Sequence, residues 1–294
     1  MMRAQTTTNE RLHPRAWVVL ALNALYTTAD GLCSVFVGVY FWVQSLSFAT
    51  VCWHYMAVFA VTPVVYLATG WLAQRFDRVH VYRIGLLLNA AFYGALLWLA
   101  EDASDYAVHL GVLLGVTWGF FWQGNNVFSY DVLHTGRRDL YFGLLNATNG
   151  VARLLAPLLG GTLISLADGE QTGYQYVFGA SVLLYLVAVV LSAGAPGGTA
   201  RRAYHLGRAL WPGRDQRDWR LFMWSSLSLA GTFNIFVFLL ALLMYIETDD
   251  AFQVGGYAAL QGLASILTSF WLGRWLTPRR RQTGRASWRR TASL

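Results

Sequence analysis

The feature that most constrains this chain is a series of apolar runs, each long enough to cross a bilayer as an α-helix. Eight such runs are separated by polar loops, at residues 17–41, 48–73, 81–100, 107–133, 142–166, 175–194, 221–246 and 254–276. A spanning helix needs about 20 predominantly apolar residues, and backbone in lipid has to satisfy its own hydrogen bonds. The sequence therefore predicts an all-α integral membrane protein, a bundle of about eight transmembrane helices.

The composition excludes an ordinary soluble domain, because 56% of the 294 residues are hydrophobic and 13% are charged. The net charge of +7 comes from arginine alone, since the sequence contains no lysine. Such a charge could indicate nucleic-acid binding, but the arginines are concentrated in alternate loops and at the two ends. This is the distribution of cytoplasmic membrane loops. We therefore predict contact with the lipid bilayer and no nucleic-acid partner.

The loop charges also predict the orientation of the chain. One set of loops carries the arginines, at residues 3–15, 75–78, 137–138, 201–220 and 274 onward, whereas the other set carries acidic residues. The acidic residues are Glu101, Asp102, Asp105, Asp168, Glu170, Glu247, Asp249 and Asp250. Because basic loops face the cytoplasm, we predict a multi-pass protein of the bacterial cell (inner) membrane with both termini cytoplasmic. A cleaved signal peptide is disfavoured for the first run because of its length and its polar residues Asn23 and Asp30.

The short basic loop at residues 70–83 joins the second and third runs and reads Gly-Trp-Leu-Ala-Gln-Arg-Phe-Asp-Arg-Val-His-Val-Tyr-Arg. It resembles the signature loop between helices 2 and 3 of the major facilitator superfamily, roughly Gly-x-Leu-Ala-Asp-Arg-x-Gly-Arg-Arg. Gly70, Leu72, Ala73, Arg75 and Arg78 match that pattern. The chain departs from it at two positions, with Gln74 in place of Asp and Asp77 in place of Gly.

The resemblance implies a domain organisation. Residues 17–194 would form the N-terminal six-helix bundle, 195–220 a basic cytoplasmic linker, and 221–276 the first two helices of an incomplete C-terminal bundle. Residues 1–16 and 277–294 would be cytoplasmic end segments. Members of the superfamily normally have twelve helices, so we expect the last four to be missing through truncation or a frameshift. The basic tail is then either an unselected end or a segment that binds lipid or a partner.

Polar residues form one stripe on the first helix and one on the fifth. In the first, Asn23, Thr27, Asp30 and Ser34 are spaced i, i+4, i+7, i+11, and in the fifth, Asn146, Asn149 and Arg153 are spaced i, i+3, i+7. Asp30 and Arg153 lie at nearly the same depth, Asp30 roughly 20 Å into its helix at 1.5 Å per residue. A charge in the bilayer needs a partner, so the two are predicted to pair. The pair either locks the bundle permanently or is functional. In the functional case Asp30 carries a coupling proton or Arg153 meets an anionic group, and the two exchange partners during transport.

The fourth run combines aromatic rings with amides, which suits a small-molecule cavity. The resemblance implies that the first and fourth helices line the transport path, and Asn234 in the seventh run lies about as deep as Asp30. The predicted cavity residues are Asn23, Thr27, Trp118, Trp122, Gln123, Asn125, Asn126, Asn149 and Asn234. The alternative is that the tryptophans face lipid and the amides only join helices. A nearby glycine ridge, Gly111, Gly115 and Gly119, is predicted to be a packing device.

Two further elements resemble superfamily motifs. In the fifth run, Ala152, Ala156, Pro157, Gly160 and Gly161 are similar to the element Gly-x-x-x-Gly-Pro-x-x-Gly-Gly, which is associated with export in members that have it. The last four of these residues are predicted to pack the helices closely.

At the cytoplasmic end of the fourth run, Asp131 and Arg138 resemble an acidic-x6-Arg element that pairs with the loop between helices 2 and 3. A cytoplasmic gate is therefore predicted from Gly70, Arg75, Asp77, Arg78, Asp131 and Arg138. Ordinary interfacial charge is the alternative for Asp131 and Arg138.

These patterns favour a secondary active transporter, an ion-gradient-driven exporter of a small molecule that works by alternating access, with protons as a candidate coupling ion. A truncated remnant that does not transport is the alternative. A membrane-embedded enzyme is disfavoured, because the sequence contains no HExxH, GxSxG or Cys-His motif. The two cysteines, Cys33 and Cys52, do not predict a metal site, and we expect no cofactor.

Overall fold

The structure, a computed structural model, describes residues 14–75, 77–132, 138–195 and 217–275. Within these ranges the regular structure is entirely helical. The α-helices are α1 Pro14–Cys33, α2 Phe36–Ser45, α3 Phe48–Arg75, α4 Arg78–Leu99, α5 Ala107–Val132, α6 Arg138–Ser165, α7 Glu170–Leu191, α8 Arg217–Thr248 and α9 Ala251–Trp275. The predicted N-terminal segment, most of the predicted linker and the predicted tail lie outside the described residues.

Each predicted span overlaps one α-helix, except the first, which overlaps two, and the described residues form an all-helical bundle. Four stretches of the described residues are long and apolar enough to cross a membrane by length and composition: Ala16–Ser45, Phe48–Ala73, Val79–Ser104 and Glu170–Ser192. Several helices begin earlier than their apolar run, because polar residues at the membrane surface continue the helix. Thus α6 begins at Arg138 and α7 at Glu170.

The first predicted span is interrupted between α1 and α2. The carbonyl oxygen of Ala29, which lies four residues before the end of α1, accepts hydrogen bonds from Cys33 Sγ at 3.0 Å and from Ser181 Oγ of α7 at 3.0 Å. These bonds join α1 to α7 but leave the backbone ladder of α1 intact at this point, because the Ser34 backbone N–H still donates to the Asp30 carbonyl oxygen at 2.8 Å. The chain turns at residues 34–35 and resumes as α2.

The first seven helices form one bundle, in which α5 packs between α3 and α4, and α7 packs between α1 and α4. The predicted glycine ridge explains the close approach of α5 to α3. A Cβ atom added to Gly111 would lie 2.4 Å from the His54 carbonyl oxygen, and one added to Gly119 would lie 2.6 Å from Val65. Membrane helices gain no hydrophobic driving force from association, because lipid tails are as apolar as their side chains. Close van der Waals packing through small residues stabilises the contact instead.

The last two helices are attached mainly through α6. Helix α9 packs along α6, and α8 contacts both α9 and α2. The helices predicted to start a second half are therefore held against the first half over a long helix pair. Helix α6, which carries this contact, also carries polar residues of the candidate site.

Candidate functional site

Hydrogen bonds join the polar stripes of α1 and α6. Asn23 donates from Nδ2 to the Oδ1 atom of Asn149 at 2.5 Å, and the Thr27 hydroxyl donates to the same oxygen at 3.0 Å. The single Thr27 hydroxyl proton is shared between this oxygen and the Asn23 carbonyl oxygen, which lies 2.8 Å from Thr27 Oγ1. Asn23 and Thr27 are buried. In an apolar surrounding these amides need such partners, so three predicted cavity residues form one network between two helices.

Small residues bring α1 and α6 into backbone contact beside this network. A Cβ atom added to Gly31 would lie 3.0 Å from the Cβ of Ala156, and one added to Gly160 would lie 2.3 Å from the Leu32 carbonyl oxygen. Either position would clash with a larger side chain. The contact places the next turns of both helices, with Asp30 and Arg153, at neighbouring positions.

Asp30 and Arg153 lie close enough for the positive charge of Arg153 to act on the Asp30 carboxyl. Asp30 is half-buried and Arg153 is exposed. Neither side chain has a hydrogen bond from its charged group, or an ion pair within 4.0 Å, in the described part of the chain. Charges interact over longer distances where the dielectric is low. A direct pair between them stays a prediction.

Buried tyrosines surround Asp30, which the sequence reasoning did not anticipate. Tyr26, Tyr93 and Tyr185 are buried, and each lies within electrostatic range of Asp30. The Tyr93 and Tyr185 rings stack with centroids 5.9 Å apart, and the Tyr26 ring is tilted against Tyr185 with centroids 5.8 Å apart. Tyrosines occur both in the core of a membrane bundle and at the membrane interface, and their spacing in the sequence does not distinguish the two positions. The cluster therefore emerges only from the packing of α1, α4 and α7.

The predicted cavity residues of α5 have different surroundings. The Trp122 ring is exposed on one side and meets Tyr26 edge-on, with centroids 6.3 Å apart. Gln123 is buried. The half-buried Trp118 stacks near Phe238 of α8, with ring centroids 6.4 Å apart.

The amides that follow on α5 complete this set. Asn125 is half-buried, and the exposed Asn126 donates to the Tyr66 hydroxyl of α3 at 3.2 Å. Asn234 belongs to α8, but its side chain is outside the described residues. The structure therefore brings the α1 and α6 amides together, while the described hydrogen bond from the α5 amides is the one from Asn126 to α3.

The predicted packing residues of α6 serve two contacts. Ala156 and Gly160 lie against α1, as described above, whereas Pro157 and Gly161 lie against α9. A Cβ atom added to Gly161 would lie 2.6 Å from the Ala251 carbonyl oxygen, and one added to Gly255 would lie 2.4 Å from the Pro157 carbonyl oxygen. Gly262 approaches the Arg153 carbonyl oxygen in the same way, at 2.8 Å. Helix α6 is thus held between α1 and α9.

The basic loop between α3 and α4 contains part of the predicted cytoplasmic gate. Gly70 is buried, and the exposed Arg75 lies over the Trp71 ring, 4.1 Å from its centroid. Asp77 accepts a hydrogen bond from the backbone N–H of Val79 at 3.1 Å and thereby caps α4. This bond explains an aspartate at a position where the motif has glycine. The side chains of Arg78, Asp131 and Arg138 lie outside the described residues.

Contacts at the opposite end of the bundle connect α8 and α9 to α6 and α7. The Tyr245 hydroxyl donates to Glu170 Oε1, and the Ser165 hydroxyl donates to Asp250 Oδ1 at 3.1 Å. Ser165 Oγ in turn accepts a bond from the Phe252 backbone N–H at 3.1 Å. Sequence reasoning missed these contacts because the partners are 75 to 87 residues apart. The described residues contain no group of three His, Cys, Asp or Glu arranged to hold a metal ion.

Comparisons with known proteins bear on the whole chain. The family described as Major Facilitator Superfamily matches residues 19–291. Uncharacterized protein YqgE of Bacillus subtilis (strain 168) is 27% identical over 264 residues, which are 90% of this chain and 61% of that protein. The chain therefore spans less than two thirds of the length of this relative.

Two further relatives match shorter parts of the chain. An uncharacterized protein in the sodM 3'region of Geobacillus stearothermophilus is 30% identical over 172 residues, 58% of this chain and 80% of that protein. The "Uncharacterized MFS-type transporter Rv1250" of Mycobacterium tuberculosis (strain ATCC 25618 / H37Rv) is 26% identical over 149 residues, 50% of this chain and 24% of that protein.

Proposed function

The chain belongs to the Major Facilitator Superfamily, a family of membrane transporters, and from this we propose that it acts in secondary active transport of a small solute. The direction we propose is export, because the α6 element around Pro157 resembles the one associated with exporters. The driving force is an ion gradient, with Asp30 as the group that carries a coupling proton. The proposed location is the bacterial inner membrane with both termini in the cytoplasm, as the arginine distribution predicts.

The observation that carries this proposal is the polar network between α1 and α6, on the helix against which α9 packs. Asn23, Thr27 and Asn149 are hydrogen-bonded there, beside two charged residues on facing helices. Polar groups inside a membrane protein are energetically unfavourable and usually mark a path for solutes or ions. Helix α9 belongs to the proposed second half, so this network lies beside the contact where two halves would rock against each other.

The contacts at the two ends suggest how access would alternate. At the end predicted to face outside, bonds from Tyr245 to Glu170 and from Ser165 to Asp250 hold α8 and α9 against the first half. The described contacts thus correspond to a state closed toward the outside. At the cytoplasmic end we propose that Asp131 meets the basic loop at Arg75 and Arg78 when the inside closes.

Cysteine accessibility tests the proposal without knowledge of the substrate. Cys33 and Cys52 are first replaced by alanine, and Asn146→Cys provides an exposed probe on the α6 stripe. We expect a membrane-impermeant maleimide to label this probe from the cytoplasmic side only. Adding Tyr245→Phe removes the hydroxyl that bonds Glu170, and labelling from the outside should then increase several-fold.

A matched control is Tyr176→Phe, which removes an exposed phenol hydroxyl from α7, the helix of Glu170, that has no hydrogen bond among the described residues. Its labelling should remain one-sided. Labelling that is equal from both sides in every variant, or absent from both, would contradict alternating access.

A further inference from the structure

Helix α9 carries a polar stripe that the proposed site has not yet used. Tyr257, Gln261, Ser265 and Thr268 are spaced i, i+4, i+8, i+11, and Gln261 donates from Nε2 to the Tyr257 hydroxyl at 2.7 Å. Tyr257 and Gln261 are half-buried, and the next two residues of the stripe are exposed. Such spacing places the four side chains along one side of the helix.

The contacts with α6 show which side this is. Gly255 and Gly262 of α9 lie on the carbonyl oxygens of Pro157 and Arg153. At about 100° per residue, Gln261 lies roughly 120° anticlockwise from Gly255 when the helix is viewed from its N-terminus. The exposed Leu267 lies about 120° from it in the other direction. One flank of the contact is therefore polar and the other is apolar.

Helix α6 has the same division. Viewed from the N-terminus of α6, Arg153 and Asn149 lie about 40° and 80° anticlockwise from Pro157. The exposed Val151 lies about 120° clockwise from it. The contacts pair Gly161 with Ala251 and Gly150 with Ile266, so the helices are antiparallel. When two antiparallel helices are each viewed from their own N-terminus, residues displaced from the contact line in the same rotational sense lie on the same side of the helix pair. The two polar flanks consequently share one side, and the apolar flanks share the lipid side.

Arg153 lies at the level of Gln261, because Gly262 is the residue that packs on the Arg153 backbone. The guanidinium is exposed and has no hydrogen bond or ion pair within 4.0 Å among the described residues. An arginine in a membrane-spanning helix requires compensation of its charge. Asp30 lies within electrostatic range but not in direct contact, so the planar guanidinium donors remain available to carboxylate and phosphate groups. The amide and phenol of Gln261 and Tyr257 supply neutral hydrogen-bonding groups on the facing helix.

From this juxtaposition we infer that Arg153 of α6 and the Gln261–Tyr257 pair of α9 form an oxyanion-binding subsite between the two halves. The inference rests on the proposed transport function and specifies its substrate class, a small solute with a carboxylate or phosphate group. Arg153 supplies the charge, while Gln261 donates a hydrogen bond from the opposite helix. A solute bound there contacts both halves at once.

Ligand binding to the purified full chain in detergent tests this subsite. Benzoate and inorganic phosphate are the anionic probes, benzamide is the neutral counterpart of benzoate, and melting temperature and tryptophan fluorescence report binding. We expect at least one anion to bind and benzamide to have no effect at the same concentration. Arg153→Gln should weaken anion binding roughly tenfold or more, and Gln261→Leu about threefold to tenfold, as expected for charged and neutral hydrogen bonds.

Gln253→Leu is the matched control, because Gln253 lies on α9 two turns beyond Gln261, about 12 Å toward the outer end. It should bind like the unmodified chain. If Arg153→Gln does not fold, Arg153→Lys and Gln261→Leu provide the measurement. Benzoate binding without phosphate binding identifies a carboxylate site, and the reverse identifies a phosphate site.

Three results would overturn the subsite: unchanged affinity in the Arg153 variants, equal losses in Gln261→Leu and Gln253→Leu, or no binding of either anion. These failures are separable from failure of the transport proposal. If the Asn146→Cys probe still alternates in accessibility, transport stands and the subsite falls. If anion binding depends on Arg153 but accessibility never alternates, the subsite stands and the transport proposal falls.

Discussion

At the residue scale, the surroundings of Asp30 and Arg153 are unequal. Asp30 is half-buried near three buried tyrosines, whereas Arg153 is exposed beside the α9 contact. Removing one charge of an ion pair is most damaging when the remaining charge is buried. The two single neutral variants should therefore differ, which sequence depth alone did not predict.

We expect Arg153→Gln to destabilise the chain by about 1 kcal/mol, because it leaves the half-buried Asp30 carboxylate without a nearby positive charge, and the exposed guanidinium limits the strength of that interaction. Asp30→Asn should have a smaller effect, since it leaves an exposed guanidinium. The double variant should recover the stability of Asp30→Asn. Thermal unfolding in detergent and membrane yield measure these effects. Equal destabilisation by both single variants, with no recovery in the double variant, would show that the charges do not interact.

A second residue-scale feature is backbone strain at Ala100, which ends α4. Its φ is 45° and ψ is −113°, a conformation that favours glycine. Its carbonyl oxygen accepts hydrogen bonds from the Tyr40 hydroxyl at 2.7 Å and from Gln44 Nε2 at 2.6 Å. The two bonds hold the strained residue in place and connect α2 to the 3-10 helix at Ala100–Ser104.

Ala100→Gly should stabilise the chain by about 1 kcal/mol, because glycine adopts this conformation without a Cβ penalty. Ala103→Gly is the control in the same 3-10 helix; it removes a buried methyl group at a residue without positive φ and should lower stability. Thermal unfolding compares the two. A lower melting temperature for Ala100→Gly than for the unmodified chain would contradict the strain argument.

At the element scale, the α6–α9 contact depends on adjacent glycines in different surroundings. A Cβ atom added to Gly255 would lie 2.4 Å from the Pro157 carbonyl oxygen, whereas one added to Gly256 would meet nothing within 4 Å. The two residues therefore form a matched pair on one helix. Comparing alanine at the two positions separates the effect of close packing from the effect of helix propensity.

Gly255→Ala should separate α9 from α6 and destabilise the chain by roughly 2 kcal/mol, as overpacking of a tight contact does. Gly256→Ala should be neutral or stabilising, by up to about 1 kcal/mol, because alanine favours the helix. Limited proteolysis near residue 250 and thermal unfolding report the contact. Similar behaviour of the two variants would show that α9 does not pack on α6 through Gly255.

Element boundaries and helix faces differ in how far the sequence predicts them. The run length predicted each spanning helix, and the glycine ridge Gly111, Gly115 and Gly119 predicted the α5 contact surface, because both depend on local composition. The break between α1 and α2 was not predictable, because it falls at Ser34 and Val35, where the sequence has no proline or glycine to mark it. The sequence also did not predict which small residues of α6 contact α1 and which contact α9.

At the scale of the whole molecule, the orientation depends on the alternating loop charges. We expect a cysteine at Asp105 or Glu247 to be labelled from outside, and one at Arg214 to be protected, in intact cells expressing the chain without Cys33 and Cys52. Both outer positions are exposed and have ordinary backbone angles. Outside labelling at Arg214 would overturn the span count, because the arginine argument places that loop in the cytoplasm.

The sequence by itself determined the membrane class, the approximate positions of the helices, the family and the polar stripes, because run length, loop charge and motif spacing are local properties of the chain. It also placed Asp30 and Arg153 at matched depth. Only the tertiary structure decided which polar groups meet: Asn23 and Thr27 with Asn149, and Tyr245 with Glu170. Helical periodicity gives the face of each helix but not the neighbour that covers it. That neighbour is selected by close packing between helices distant in sequence, through contacts such as Gly160 on Leu32 and Gly255 on Pro157.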